Sequence, residues 1–501
     1  MEGLNMRQAK KWIFKIIVSL STAHLPLHAS SLTEAIPQST AAQKEFAQLV
    51  DAKQYTEAMM AWGPAFSGSK YSKSNTGVAV QAFLMAQSGL PVMASHWIIS
   101  DTNLDKISDK IKSPIVELIK TNAKFLSASD AHKSWRKVLE ELSPIKISSR
   151  KELLKATRRL AKTSKKDIKQ RAEIYWALSV GASKLNDTRL AEIYIRDLKG
   201  LDQDFISKDK VNMQLARVLF QKNKLSEAID LYSLIPKSSD LWLDAIEERA
   251  WAYLRLSNFD KARGDITTLL APTFKDYTTP EVFVLSAITN LKICDYHRIL
   301  KDNRMFKTDH AERIKEIEML ADKGSNSKIS QIMAKMDKVG ADLSAAAGQL
   351  ESLPRMALRS PSFVFAVNQR AQLLKELERS NELSQRMKVL GENSNLDKLK
   401  IWANQQAQSN RTVALRELKA HAMAEVKDYR VNINKLKLAE VEVIHRLNVD
   451  ESLQGERSEL GKMSQGRDTL IFPYEEEVWI DELDNYQAQV KDCPTSKGAS
   501  L

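Results

Sequence analysis

The sequence predicts an all-α protein: a solenoid of helical hairpins, then a coiled-coil helical segment and a short aromatic and acidic tail. Three observations predict it. Between Asp209 and Leu270 one helical pair is written twice with a period of 34 residues: Ala216, Leu219, Phe220, Leu225, Ala228 and Tyr232 are matched by Ala250, Tyr253, Leu254, Phe259, Ala262 and Ile266. Only 16 glycines and 13 prolines are spread over 501 residues, which leaves few places for tight turns and makes long helices the default. From Leu396 to about Val449 there is neither proline nor glycine, and apolar residues recur there at spacings near three and four.

The N-terminal residues 1–29 read as a secretory signal peptide. Arg7, Lys10, Lys11 and Lys15 precede an apolar stretch from Ile16 to Leu27, which ends at the small Ala29 before Ser30 and Ser31. A dozen apolar residues interrupted by His24 and Pro26 are short for a bilayer span, so cleavage near Ala29 and release into the periplasm are expected. An uncleaved anchor is the alternative. No cysteine lies in the first 290 residues, so no lipid-attachment cysteine follows the signal. Loss of residues 1–29 lowers the formal net charge from +12 to +9. In an exported protein that balance suits an acidic protein, an anionic polymer or lipid head groups, and not nucleic acid.

Residues 30–165 read as a degenerate helical-repeat domain, with repeat-like fragments at Phe46, Tyr55, Ala58 and Trp62 and again at Ala82, Ala86, Ala94 and Ile98. At its end, from Lys146 to Arg171, eleven basic residues face only Glu152 and Asp167. Leu153, Leu154, Leu160 and Ala161 recur within it at helical spacing, which predicts an amphipathic helix with a basic outer face. Such a face is either simply solvated or a contact for an anionic surface.

Residues 166–310 carry the clear array. A period of 34 with small residues at two fixed positions is the tetratricopeptide (TPR) signature, in which alanines let the two helices of a unit approach closely. Ala182 and Leu185 stand 34 residues before Ala216 and Leu219, though the second helix of that unit is displaced and lacks the expected alanine. Ala287, Leu291 and Tyr296 continue the array at an offset of 37, because the loop from Ala271 to Pro280 is longer. First-helix side chains line the concave face of such a stack, so Asn212, Arg217, Glu247 and Tyr253 are the candidate partner contacts.

Residues 311–465 form a helical and coiled-coil region. The Gly324 to Ser327 cluster separates two helices, and Ser360 with Pro361 starts another. Leu415, Leu418, Ala422, Val426, Tyr429, Ile433, Leu436, Val443 and Leu447 make the stripe of a long amphipathic helix, expected to pair with a helix around Phe363 to Leu390. The stripe's partner is that arm, a second copy of the chain or another protein. The tail, residues 466–501, interleaves Phe472, Tyr474, Trp479 and Tyr486 with Glu475, Glu476, Glu477, Asp481, Glu482 and Asp484. Large aromatics are unusual in a disordered tail, so Phe472, Trp479 and Tyr486 are expected to dock on the oppositely charged helical body.

The run Glu247-Glu-Arg-Ala-Trp-Ala-Tyr-Leu-Arg-Leu256, then Pro280 to Leu285, Leu291 to Tyr296, Phe472-Pro-Tyr474 and Trp479 to Leu483, resembles a family of exported TPR proteins from gliding and predatory bacteria. The resemblance covers residues 170–310 and 395–493, about half the chain. It departs where the family pattern has Gly and this chain has Glu476. It implies an envelope scaffold, some relatives being connected with the gliding-motility machinery, and envelope proteins as partners.

The chain has two cysteines, Cys294 in the array and Cys493 near the terminus. After export an isolated pair becomes a disulfide candidate, and the family-like motifs carry a cysteine at both places. Catalytic signatures are missing. There is no Gly-x-Ser-x-Gly elbow, phosphate loop or dinucleotide fingerprint, and His96, His132, His297, His310, His421 and His445 show no metal-binding spacing. The one local grouping, Cys294, Asp295 and His297, puts neighbouring residues on different sides of a helix. The expectation is a binding protein with no metal and no cofactor, not an enzyme; self-association through the coiled coil and attachment to cell wall, lipid or polysaccharide through the basic helix are its further readings.

Overall fold

The structure, a computed structural model, describes residues 32–143, 145–274, 277–336, 353–357, 359–387, 394–449 and Asp484. The predicted signal peptide and the tail residues Phe472, Trp479, Tyr486 and Cys493 lie outside the described residues. Among the described residues there are helices and no strands, and no helix is long and apolar enough to cross a membrane. They fall into two compact units, one of residues up to 144 with 319–422, the other of 145–318 with 423 onward. This division differs from the sequence-based one. The basic stretch joins the array because Ile147, Leu153 and Ala156 pack with Ile174, Leu178 and Ala182, and residues 311–465 are shared between the units.

In the first unit, α1 (Ala41–Asp51) and α2 (Tyr55–Phe66) make one hairpin, and α3 (Asn75–Gln87) and α4 (Pro91–Asp101) the next. Helices α5 (Asp109–Asn122) and α6 (Lys133–Leu142) follow. The second unit opens with α7 (Arg150–Lys162) and stacks four hairpins. These are α8 (Ile168–Lys184) with α9 (Thr188–Lys199), α10 (Lys208–Gln221) with α11 (Leu225–Ser233), α12 (Trp242–Arg255) with α13 (Phe259–Leu269), and α14 (Pro280–Lys292) with α15 (Tyr296–Asp309). Helices α16 (Ala311–Lys323), α17 (Ser327–Met336), α18 (Pro361–Met387) and α19 (Ser394–Val449) complete the chain.

All six hairpins turn in the same way. The middle residue of each turn, Lys53, Gly89, Asn186, Asn223, Ser257 or Cys294, adopts a left-handed backbone. The next N–H then reaches back to the first helix: Gln54 to Leu49, Leu90 to Met85, Asp187 to Ala182, Lys224 to Leu219, Asn258 to Tyr253 and Asp295 to Asn290, at 2.9 to 3.1 Å. This is the Schellman closure, which satisfies carbonyls that a helix end leaves without partners. In three hairpins the same residue also caps the second helix, since the side chains of Asp187, Asn258 and Asp295 accept from the N–H of Leu190, Lys261 and Arg298.

The turn residue sets the register of packing. Seven residues before it stand Phe46, Ala82, Ser179, Ala216, Ala250 and Ala287, and five after it Ala58, Ala94, Ala191, Ala228, Ala262 and Ile299, all fully buried. Small side chains at nearly all of these places let paired helices close on each other. The first array hairpin therefore has its alanine after all, at Ala191. The even spacing of 34 that aligns Ala182 with Ala216 fails there, because α9 is three residues longer than α11, so that Ser179 takes the place of Ala216.

The first unit's core is rich in aromatics, with Phe46 edge-on to Trp62 and Phe66 at 5.6 and 5.1 Å. Helix α18 closes over the α3–α4 turn. Its Glu376 carboxylate accepts the N–H groups of Val92 and Met93 at 3.0 and 2.9 Å, and its Arg379 donates to the Ser88 carbonyl at 3.0 Å. An acidic group thus meets the N-terminus of α4 and a cation the C-terminus of α3; the cation has the favourable sign for the helix dipole, as does Glu376 once ionised above about pH 7. Helix α19 runs antiparallel to α18, since Ser384 meets Lys400 while Arg370 donates to the Ala407 carbonyl.

The α19 stripe, expected to pair with the 363–390 arm, is divided between the two units. The beginning of α19, Leu396 to Ala407, shares a core with Leu373 and Leu383 of α18. Further along, Tyr429, Leu436, Ala439 and Val443 pack in the second unit with Phe283, Tyr296, Ile299 and Phe306. This second part of the stripe is therefore covered by the last hairpin of the array in the same chain.

Candidate binding site

The predicted contacts sit on helices α10 and α12, where they join successive hairpins. Arg217 of α10 is exposed and grips Glu248 of α12 with Nε and Nη2 at 2.7 to 3.1 Å. Tyr232 donates its hydroxyl to the same carboxylate at 2.9 Å. Glu247 is half-buried and accepts the Thr279 hydroxyl at 3.0 and 3.1 Å, which ties α12 to the start of α14. Burial pushes the Glu247 carboxyl up to about 7; the Thr279 bond opposes this, while the charges of Glu281, Asp244 and Glu248 add to it. Asn212 is half-buried on α10. Tyr253 is half-buried beside Leu225, Ile229 and Ala252, with the Lys261 ammonium 5.6 Å from its ring centre. Burial raises its phenol. Arg217 thus joins α10 to α12 through Glu248, Glu247 joins α12 to α14, and Tyr253 serves the packing.

A second site was not anticipated. Eight residues before and after each array turn stand Leu178 with Tyr194, Leu215 with Leu231, Arg249 with Asp265, and Ser286 with Asp302. In the third hairpin an apolar position has become a buried ion pair. Arg249 donates Nε and Nη2 to the two Asp265 oxygens at 2.9 and 2.6 Å and Nη1 to Ser233 at 3.1 Å. It also donates Nη2 to the carboxylate of Asp484, 235 residues further on. The Asp484 N–H donates to Thr268 Oγ1 at 3.0 Å. Burial alone would lower the Arg249 guanidinium, but its bonds and charges from Asp265 and Asp484 outweigh that and raise it. Burial pushes Asp265 up to about 6 against the opposing pull of Arg249. At neutral pH the pair is ionised. The signal available in the sequence was an arginine in a register that takes leucine in the two preceding hairpins.

In the fourth hairpin the same register holds Ser286, which donates to Asp302 at 2.6 Å, and Arg298, one turn earlier on the second helix, pairs with that carboxylate at 3.0 Å. Cys294, at the turn of this hairpin, is disulfide-bonded. The grouping of Cys294, Asp295 and His297 therefore has no free thiol, and Asp295 is paired with Arg263 at 2.9 Å. Among the described residues no group of His, Cys, Asp and Glu has the arrangement of a metal site.

The basic helix is shorter than its charge run. In α7 Leu153 and Ala156 are buried, whereas Leu154 is 56% exposed and Ala161 also faces solvent. Lys151, Lys155, Arg158 and Lys162 are exposed, and Arg150 is held by Asp187 at 2.6 Å. An apolar cleft of about 300 Å³ lies where Phe306 and Ile314 face Ile433 and Leu436, with Lys307 and Lys437 at its margin. Comparisons with protein-family models, with characterised proteins and with solved structures return no match.

Proposed function

We propose that the chain is a TPR scaffold that assembles protein partners in an exported, envelope-associated compartment and performs no catalysis. The observation that carries this reading is the shared hairpin: six left-handed turns, each flanked at the same two offsets by fully buried and mostly small residues. Repeats of this kind present first-helix side chains to a partner, and Arg217 and Glu248 form such a polar surface. The bonded Cys294 fits an oxidising compartment, and the sequence holds one other cysteine, Cys493. An envelope role like that of the gliding-motility proteins rests on the sequence resemblance.

The test is affinity capture of the full chain from cross-linked cells. Proteins retained by the wild type and lost on combined Asn212→Ala and Arg217→Ala substitution support the scaffold. A capture unchanged by that pair removes this surface from the reading. A second reading is favoured by Leu154, an exposed apolar side chain among exposed lysines, which suits contact with an anionic envelope surface. Sedimentation with anionic vesicles or cell-wall material, lost when Lys151, Lys155 and Arg158 become glutamate, would support it.

A further inference from the structure

We propose that Arg249 is a receptor for a carboxylate of an acidic peptide, and that Asp484 fills this receptor from within the chain. The inference deepens the scaffold reading and rests on it, since it names the chemistry of the ligand that the array takes.

A guanidinium needs one carboxylate for charge balance, and Arg249 has it in Asp265, whose side chain is only 7% exposed. Asp484 is a second carboxylate on the same nitrogen and stands on the solvent side, with its side chain 24% exposed. The two acids therefore differ in role. Asp265 belongs to the hairpin and holds the guanidinium in a fixed orientation, helped by Ser233. Asp484 brings an excess negative charge that the hairpin does not require, and a partly exposed, singly bonded carboxylate is the exchangeable one.

Recognition also uses the main chain. The Asp484 N–H donates to Thr268, a fully buried threonine whose hydroxyl bonds back to the Gly264 carbonyl at 3.2 Å. Another peptide with an aspartate could make the same two contacts. None of the other array hairpins offers a cation at this register, where Leu178, Leu215 and Ser286 stand. The site is thus a feature of one repeat and not of the repeat pattern. Asp484 lies within a segment carrying Glu482, Asp481 and Trp479, which defines the class of ligand: an acidic stretch with aromatic neighbours.

The probe is a fluorescent synthetic peptide with the sequence of residues 478–490, added to full-length protein and followed by anisotropy. Two proteins are compared, the wild type and an Asp484→Asn, Cys493→Ser variant whose internal ligand is weakened and untethered. The variant should bind the peptide saturably and the wild type about tenfold or more weakly, because its own carboxylate competes. A peptide carrying Asn in place of the aspartate should lose about tenfold or more on the variant, a control that needs no change in the protein. Arg249→Lys in the variant background, which keeps the charge but not the forked geometry, should weaken binding as well. No binding to a variant whose circular dichroism and melt match a folded chain would overturn the proposal, as would binding that ignores the peptide aspartate or Arg249. Binding as expected, with no protein captured from cells, would leave the receptor standing and remove the scaffold reading. Capture that survives Arg249→Lys would do the reverse.

Discussion

The two units bury a carboxylate by different means. In the first unit Glu376 is fully buried and is held by two backbone N–H groups and the Gln372 amide. In the second Asp265 is gripped by a guanidinium. Burial pushes both up, Glu376 to about 7 and Asp265 to about 6. The difference teaches where each unit's specificity lies. Glu376 and Arg379 clamp one helix turn and finish a local fold, so their partners are backbone. Arg249 has donors beyond those its counter-ion uses, and the surplus is turned toward another segment of the chain.

The largest effect expected from this comparison follows from removing one half of the ion pair. Arg249→Ala leaves Asp265 buried without its cation and should cost about 3–5 kcal/mol in urea unfolding. Replacing both partners, as Arg249→Leu with Asp265→Leu, copies the Leu215 and Leu231 arrangement of the preceding hairpin and should cost far less. If the double replacement is as damaging as the single one, the hairpin needs the charge pair itself and the analogy between the two hairpins breaks.

Glu376 gives the next effect and a pH signature. The native carboxyl, at about 7, keeps a proton that an unfolded glutamate near 4.5 has already released. Stability therefore falls as pH rises between about 4.5 and 7, by on the order of 3 kcal/mol from this group. Glu376→Gln should flatten that fall up to pH 7. The paired leucine replacement should flatten only the part between 3.8 and about 6, the window of Asp265. Urea melts at pH 5, 6 and 7.5 separate the two, and identical profiles for both variants would erase the distinction between the units.

The smallest effect tests the shared turn. Ser257 pays a steric cost at φ 57°, which glycine does not. Ser257→Gly should stabilise by about 1 kcal/mol, read as a raised melting temperature. The same change at Asn223 should gain less, because asparagine tolerates the left-handed region. Equal gains at both would mean that side-chain chemistry at the turn is irrelevant.

Much of the helical array was legible because its signal is local. Alanines at fixed distances from a turn mark where two helices touch, and that spacing can be counted from Ala216 to Ala228 and from Ala250 to Ala262. The even period failed at the first hairpin because its second helix is three residues longer than that of the next hairpin, which shifts the count, and only the turn at Asn186 restores it. The partner of the α19 stripe was not legible, since Tyr429 and Val443 are apolar whichever surface covers them. The Arg249 site joins residues 235 positions apart. A sequence read in local windows shows an arginine where the two preceding hairpins have leucine, but not the aspartate that meets it.

The central claim, that the array's first-helix surface is where partners bind, is tested most directly by site-specific photo-cross-linking in cells. A photoreactive residue at position 217 is compared with one at position 155 on the basic helix, both in the full chain. The account predicts discrete protein adducts from position 217 that disappear when Asn212 is changed to alanine. Adducts confined to position 155, or the same adducts from both positions, would contradict it.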